Sequence, residues 1–459
     1  WAELYSLATK DIVQQGGCFT GDARIMTHLG LISIEDIVKS KGNYFASTHK
    51  GFKKITTKFD NGIKEVFEIE TMGGYKVKTT NEHKFLTFTQ NGNFYLKKLS
   101  DLEVQDNLTL LPSQFIDDVP EVILKTDIPK LSKFSNGRKV VNLPKTLTAK
   151  LAFVLGVYAS DGSRIPDEYA FSKGMRIAVD AKRRKDLAYL AKTLRSVFDI
   201  EPILRKGDGN VINVEVYSRT LVEFLKLNSL LKENSNNVFV PESIFTSPRQ
   251  VVEAFIAGVF FGDGGNRGGK GGFRLTSVNK KFIEDLQLLL LNLNVASKIT
   301  KQARGNWQDL YTLNINGARF MRRFFEIIAP YNEKALDNAI SVRDGFYNFP
   351  VNILKRFVYM TGIQRTIAYT NPTTSHKTLA FMESNITGIN DEDLEDVEIL
   401  TSTISDKIKK ITRLGFEQVY DLEVEDVHLI SGNGFYTSNS RRGALMLMLH
   451  DCILTLKNS

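Results

Sequence analysis

Two aspartates, Asp161 and Asp263, close two copies of one apolar sequence, "AFVLGVYASDG" (152–162) and "AFIAGVFFGDG" (254–264). They stand 102 residues apart, and each is followed by glycine. Both runs read as helices, and an aspartate at a helix C-terminus opposes the macrodipole at a cost of roughly 0.3–1 kcal/mol. That cost incurred twice, each time before a C-capping glycine, points to chemistry rather than stability. Gly156 and Gly258 hold the same place in the two copies. Two such helices can pack closely about a pseudo-twofold axis and bring the carboxylates together. Adjacent carboxylates repel and shift each other's pKa unless a cation sits between them. A hard divalent ion such as Mg²⁺ suits that oxygen site and activates water against a phosphodiester.

The elements that must position these acids repeat as well. After each aspartate comes a strand ("MRIAVDAK", "FRLTSVNK"), then a Leu-rich helix ("KDLAYLAKTLRSVF", "KKFIEDLQLLLLNLNV"). A basic strand ("EPILRK", "SKITKQ"), another strand ("NVINVEVYS", "LYTLNINGA") and a helix ("LVEFLKL", "FMRRFFEII") follow. A repeated order of this kind marks a duplicated α+β unit. "VLGVYASDG" (154–162) and "IAGVFFGDG" (256–264) resemble the two motifs of a single-chain LAGLIDADG homing endonuclease, and "VFVPESI" (238–244) adds to a likeness over roughly residues 145–335. The resemblance implies two pseudo-symmetric αββαββα-like halves whose sheets form a saddle along the major groove of double-stranded DNA. It also implies motif helices at the interface, with Asp161 and Asp263 holding the metal over the scissile phosphates. Arg176, Lys182, Arg205, Arg274 and Lys298 on the expected strands are candidates for contact to the DNA backbone. Lys206 and Lys301 occupy similar places in the two copies and are the candidates for catalytic-site lysines.

The sequence outside this repeat has another character. From Cys18 the chain reads as short strands with Asn-Gly and Gly-Gly hairpin turns. That pattern fades between Pro112 and Pro120, resumes near Ile399 and stops at Asn439. It describes an all-β module split by a large insertion, with "NPTTS" (371–375) and "DEDLEDVE" (391–398) as surface connections. At Asn439–Ser440 strand-like sequence gives way to "SRRGALMLMLHDCILTLKNS" with no Gly/Ser/Pro-rich linker.

"CFTGDARI" (18–25) resembles the first splicing block of inteins, and "TTNEH" (79–83) the second, with Thr80 and His83 on its Thr-x-x-His signature. "VYDLEVEDVHLISGNGFYTSNS" (419–440) resembles the last two blocks, with Asp421 and His428 at catalytic-support positions. The resemblance implies a horseshoe-shaped Hint fold and self-excision. In chemical terms the Cys18 thiol attacks the Gly17 carbonyl to give a thioester. His83 protonates the departing nitrogen, and Thr80 holds the carbonyl geometry or oxyanion. Ser440 then takes the N-terminal segment, Asn439 cyclises through its side-chain amide, and an ester-to-amide shift joins Gly17 to Ser440. Where this family usually has histidine before the terminal asparagine, Ser438 stands here. Cyclisation of Asn439 is therefore expected to be slowed or to depend on His428 and Asp421.

Composition sets the frame. The chain of 459 residues is long enough for two to four domains. It opens on Trp1 rather than Met, which reads as a segment of a longer precursor. A formal charge of +8 favours an anionic partner, nucleic acid first. Two cysteines cannot build a disulfide framework, and neither CxxC nor HExxH is present to suggest zinc. A membrane span and a signal peptide are not expected. The expected layout is a multidomain chain: host flank 1–17, splicing domain 18–118 and 398–439, endonuclease region 119–397, host flank 440–459. A monomer in the cytoplasm is expected, splicing without a cofactor and cleaving DNA with Mg²⁺. A nuclease module that binds without cleaving, or a cleavage-only processing domain, are the alternatives. The joined flanks, "QQGG" next to "SRRGALM", resemble the large subunit of ribonucleotide reductase.

Overall fold

The computed structural model describes residues 17–89, 92–113, 115–128, 141–166, 172–232, 235–266, 272–305, 307–331 and 391–439. Trp1–Gly16, Ser440, Cys452 and the "NPTTS" segment lie outside the described residues. The chain divides into two compact units, Gln114–Arg343 and a second made of Trp1–Ser113 with Asp344–Ser459.

The unit made from the two chain ends is built on a 12-stranded antiparallel sheet. Its spine is a pair of 21-residue strands, Gly51–Thr71 and Ile404–Val424, which in sequence precede and follow the other unit. They pair from Thr71 opposite Ile408 to Ile55 opposite Val424. The short strand Phe19–Thr20 lies between Lys76–Thr80 and the long strand Ile404–Val424. The terminal hairpin Leu429–Gly432 and Phe435–Ser438 pairs with strands from the N-terminal part, Thr437 opposite Phe85 and Phe435 opposite Leu110. Ile69, Val66, Leu108, Val419 and Phe435, contributed by both chain segments, are fully buried.

Two local expectations fail here for physical reasons. Asn61–Gly62 is no hairpin turn. It is a bulge inside the Gly51–Thr71 strand, where Gln418 faces Ile63 and Tyr420 faces Asp60. "DEDLEDVE" is not a surface connection but the start of a helix, Asp391–Ser402. Its acids conceal apolar residues at helical spacing, and Val397 and Leu400 are fully buried. The C-terminal strand accordingly begins at Ile404 rather than near Ile399.

The other unit is an αββαββα succession written twice. The first copy runs Ala149–Asp161, Gly162–Pro166, Ser172–Asp180, Arg184–Phe198, Ile203–Lys206, Val211–Val216 and Arg219–Leu227. The second runs Arg249–Asp263, Gly264–Asn266, Phe273–Ser277, Lys280–Leu291, Lys298–Arg304, Trp307–Ile315 and Ala318–Ile328. Each copy forms a four-stranded sheet in the same strand order, with the last two strands exchanged in space. The helices Ala149–Asp161 and Arg249–Asp263 pack on each other and are buried almost all round, as their unbroken apolar sequence requires. Thr148 caps the first by accepting from the Leu151 N–H.

Candidate functional sites

The Gly17–Cys18 bond sits at the head of the strand Phe19–Thr20, with the side chain of Cys18 fully buried against Val66 and Val419. The Cys18 N–H donates to Thr80 Oγ1 at 3.0 Å, and the Thr80 N–H donates to the Cys18 carbonyl at 3.0 Å. Thr80 thus grips the nitrogen side of the bond, not the Gly17 carbonyl where an oxyanion would form. His83 packs against Gly17 so tightly that a Cβ built there would lie 2.4 Å from His83 Cα and 2.7 Å from its Nδ1. Its ring is wedged between Phe19 and Phe85, with centroids 4.4 and 5.3 Å away.

Burial pushes the His83 imidazole down to about 3, with the Gly17 backbone pulling weakly the other way. Neither ring nitrogen has a well-aligned partner among the described residues. A neutral imidazole must first accept a proton before it can give one, so this geometry suits a shuttle rather than a standing acid. One residue escaped the sequence reading: Asn61 Nδ2 lies 3.2 Å from Cys18 Sγ.

At the other end, Asn439 is buried, its N–H bonded to the His428 carbonyl at 3.1 Å and its Nδ2 donating to the Val427 carbonyl at 2.6 Å. Asn439 Oδ1 has no partner among the described residues. The His428 side chain is exposed, and its backbone carbonyl accepts from the Asn439 N–H. Asp421 is buried, and Ser438 ends the last strand opposite Leu429. Ser440 lies outside the described residues. Both junctions converge on one strand: Phe85, against whose ring His83 packs, pairs with Thr437, two residues before Asn439.

Two buried histidines of this unit link its stability to pH. Burial holds His83 at about 3 and His49 at about 4, against an ordinary 6.5. The unfolded chain binds these protons near 6.5 and the folded chain does not. Stability is therefore intact above that value and is lost as pH falls toward 4 and then 3, by up to ~1.4 kcal/mol per unit for each group. A thermal midpoint that drops on acidification from pH 6.5 to 4.5, and drops less in His49→Gln, is the expected result of a melting series. A flat profile contradicts it.

In the duplicated unit the helix pair is as close as two backbones can come. A Cβ on Gly156 would lie 2.2 Å from the Phe255 carbonyl oxygen, and one on Gly258 would lie 2.2 Å from that of Phe153. The reciprocity is the pseudo-twofold relation written in contacts. Ser160 Oγ ties the ends together by donating to the Val259 carbonyl at 3.0 Å. Beyond that bond, Asp161 Oδ2 lies 2.8 Å from where a Gly262 Cβ would be, one residue from Asp263. The capping glycines Gly162 and Gly264 are extended, with φ of −83° and −77°, not left-handed. Glycine is required there because a Cβ would strike Tyr158 and Phe260.

One cation drawn to these acids is a residue the repeat did not point to. Lys232 is buried, and its Nζ donates to the Ala159 and Ser160 carbonyls at 2.6 and 3.0 Å. Burial pulls its pKa down to about 8, against the attraction of Asp263 and Asp161. Lys206 and Lys301 do correspond in register, facing Ile212 and Tyr311. Both are exposed, and Lys301 is paired with Asp309 at 2.6 Å. The two carboxylates, half-buried at adjoining helix ends, are an oxygen-donor set that fits one hard divalent cation, with water and phosphate completing its shell. No cluster of three or more His, Cys, Asp or Glu occurs among the described residues.

The sheets order the other basic residues. Arg176 faces Ser163 and Arg274 faces Gly265, so the two arginines are counterparts, each opposite the second residue after an acid. Both are exposed. Arg205 is exposed but paired with Glu215 at 2.9 Å, Lys298 faces Asn314 across its sheet, and Lys182 is exposed at the end of the Ser172–Asp180 strand. No helix among the described residues is long and apolar enough to cross a membrane.

Residues 250–329 match the family described as LAGLIDADG-like domain. The glutamine–fructose-6-phosphate aminotransferase of Methanocaldococcus jannaschii is 26% identical over 66% of this chain and 28% of its own length. The replicative DNA helicase DnaB of Nostoc is 24% identical over 95% and 51%. The ribonucleoside-diphosphate reductase NrdEB subunit alpha of Bacillus subtilis is 24% identical over 92% and 36%. The chain thus spans about half or less of the length of these curated relatives. Among solved structures, the homing endonuclease I-DmoI with its nicked target DNA is 20% identical over 40% of this chain and 97% of its own, at a TM-score of 0.31. A DnaB intein from Synechocystis is 24% identical over 21% and 69%, at a TM-score of 0.19.

Proposed function

We propose that this chain, which carries a LAGLIDADG-like domain over residues 250–329, is an intein precursor with an inserted homing endonuclease. The observation that carries the splicing half is the Gly17–Cys18 bond itself. Its nitrogen is held by Thr80, its carbonyl residue is pressed on a buried neutral His83, and its attacking thiol lies inside the sheet whose last strand leads to Asn439. The identity of the relatives supports the same reading. An aminotransferase, a helicase and a reductase share no activity, so what this chain has in common with each is a segment independent of what each enzyme does.

In this account Cys18 Sγ attacks the Gly17 carbonyl carbon and the C–N bond breaks. His83 takes the thiol proton and returns it to the Cys18 nitrogen. Ser440 accepts the N-terminal segment, and Asn439 Nδ2, oriented by the Val427 carbonyl, closes on its own carbonyl carbon. With no histidine at 438, that step depends on His428 and Asp421. The flanks belong to a ribonucleotide reductase large subunit, and the reaction runs in a reducing cytoplasm where Cys18 stays a thiol.

In the nuclease half Asp161 and Asp263 hold a divalent cation, which when bound supplies an activated water and charge neutralisation at the phosphate. Lys232 places a positive charge beside the acids that is present at neutral pH, and Arg176 and Arg274 meet the DNA backbone symmetrically. Asp161→Asn, Asp263→Asn and Lys232→Met are each expected to lower cleavage of the uninterrupted host gene by at least ~10²-fold. Binding to the same DNA, measured by mobility shift, is expected to survive. A native protein that binds this DNA but never nicks it, with Mg²⁺ or Mn²⁺ present, establishes a binding-only module instead.

A further inference from the structure

We infer that Asn61 is a working part of the N-terminal junction, a neutral hydrogen-bond donor that stabilises the Cys18 thiolate and aims its sulfur at Gly17. The inference rests on the splicing reading above. Asn61 Nδ2 stands 3.2 Å from Cys18 Sγ, inside hydrogen-bonding range for sulfur. The sulfur is fully buried among Val66 and Val419, an apolar setting that disfavours the charged nucleophile. A donor gains most when its acceptor is ionised. An amide N–H therefore favours thiolate over thiol, and does so without adding a second charge to a buried site.

The backbone is shaped to deliver this side chain. Between Asp60 and Ile63 the long strand carries two residues, Asn61 and Gly62, where its partner carries only Val419, already paired with Thr20. Bulges of this kind re-aim a side chain out of register and recur beside active sites. The bulge is clamped by Asp60, whose Oδ1 accepts from the Gly62 N–H at 3.1 Å and from the Gln418 side-chain amide. Gly62 has φ of +69° with open space around it, so glycine serves the backbone and not a contact.

The titratable groups around the sulfur come from three other elements. His83, from the segment after Lys76–Thr80, is neutral above about pH 3. Asp421 comes opposite Cys18 when the pairing of Phe19 with Tyr420 is continued by one residue. Asp60 lies on the bulge itself. Two of these are carboxyls, whose charge opposes a thiolate, which is the setting in which a neutral donor at the sulfur matters. The step needs no co-reactant. The S–C bond forms, the C–N bond breaks, and the thiol proton passes through His83 to the Cys18 nitrogen.

The test uses the full chain with Asn439→Ala, Ser440→Ala and Cys452→Ser, which stops the reaction at the thioester and leaves one cysteine. The carbon chemical shift of Cys18 Cβ is followed against pH, and in parallel the release of the 1–17 peptide by dithiothreitol. Asn61→Ala is expected to raise the thiol midpoint by about one unit, and Asn61→Asp further, while Asn61→Ser, which keeps a donor, moves it less. Peptide release by Asn61→Ala is expected to fall about tenfold near neutral pH and to recover in alkali, the pattern of a shifted thiol. Coincident midpoints, or a loss of release equal at every pH, overturn the assignment of Asn61. A native chain that releases no peptide at any pH overturns the splicing reading, and the catalytic role of Asn61 with it, whatever the midpoints.

Discussion

Cys18→Ala is expected to leave the precursor whole at its N-terminal junction under all conditions. The thiol is the group that converts an amide to a thioester, and Thr80, Asn61, Val66 and Val419 beside it offer no nucleophile of comparable strength. The fold should not suffer much. Cys18 is a small buried side chain, and removing one sulfur from an apolar niche costs about 1–2 kcal/mol by analogy with other large-to-small core changes. Cleavage at Asn439 is a separate reaction, because its contacts are to Val427 and His428 and not to Cys18. The expected product of Cys18→Ala is therefore a chain that loses 440–459 slowly while keeping 1–17 attached, read by intact-mass measurement. His428→Ala should slow that loss further, because His428 stands in for the histidine absent at 438; an unchanged rate contradicts that role.

Gly258→Val is expected to abolish DNA cleavage and to unfold the duplicated unit or split its helix pair. Atoms closer than van der Waals contact cannot be relieved by rotating a side chain when the obstacle is backbone. Here the obstacle is the Phe153 carbonyl at 2.2 Å and the Val157 nitrogen at 2.9 Å. Overpacking a core costs typically 1–3 kcal/mol even where side chains can yield. Moving the helices apart also breaks the Ser160–Val259 bond and separates Asp161 from Asp263. Gly156→Val must do the same, because its clash with Phe255 and Val259 is the mirror of the first. Splicing by the other unit should continue in both variants. The measurement is a denaturant melt with DNA cleavage and splicing assayed on the same samples. A folded, cleaving Gly258→Val protein refutes the close-packed interface.

What could be read from the residues alone divides along a physical line. The repeat was legible because helical and strand periods are local, and because Gly156 and Gly258 recur at one place in matching runs. The correspondence of Lys206 with Lys301 was legible for the same reason, but the pairing of Lys301 with Asp309 was not. Equivalence is a property of sequence, whereas proximity is one of packing. Lys232 lies outside the repeated pattern, on a connecting segment whose path only the fold reveals. Asn61–Gly62 carries the strongest short hairpin signal there is. Whether such a pair turns the chain or merely bulges it is decided by the partner strand, here more than 340 residues away at Gln418 to Tyr420. The helix Asp391–Ser402 was missed because six of its first eight residues are acidic and mask the burial of Val397 and Leu400.

The central claim is that the bonds at Gly17–Cys18 and Asn439–Ser440 break and a new Gly17–Ser440 bond forms in the same molecule. The direct measurement is the mass of every product after the purified chain is incubated at neutral pH under reducing conditions. The account predicts an excised chain of residues 18–439 with a C-terminal succinimide and a single 37-residue peptide that joins 1–17 to 440–459. Two separate flank peptides with no joined species, or an intact 51.7 kDa chain that never changes, contradicts it.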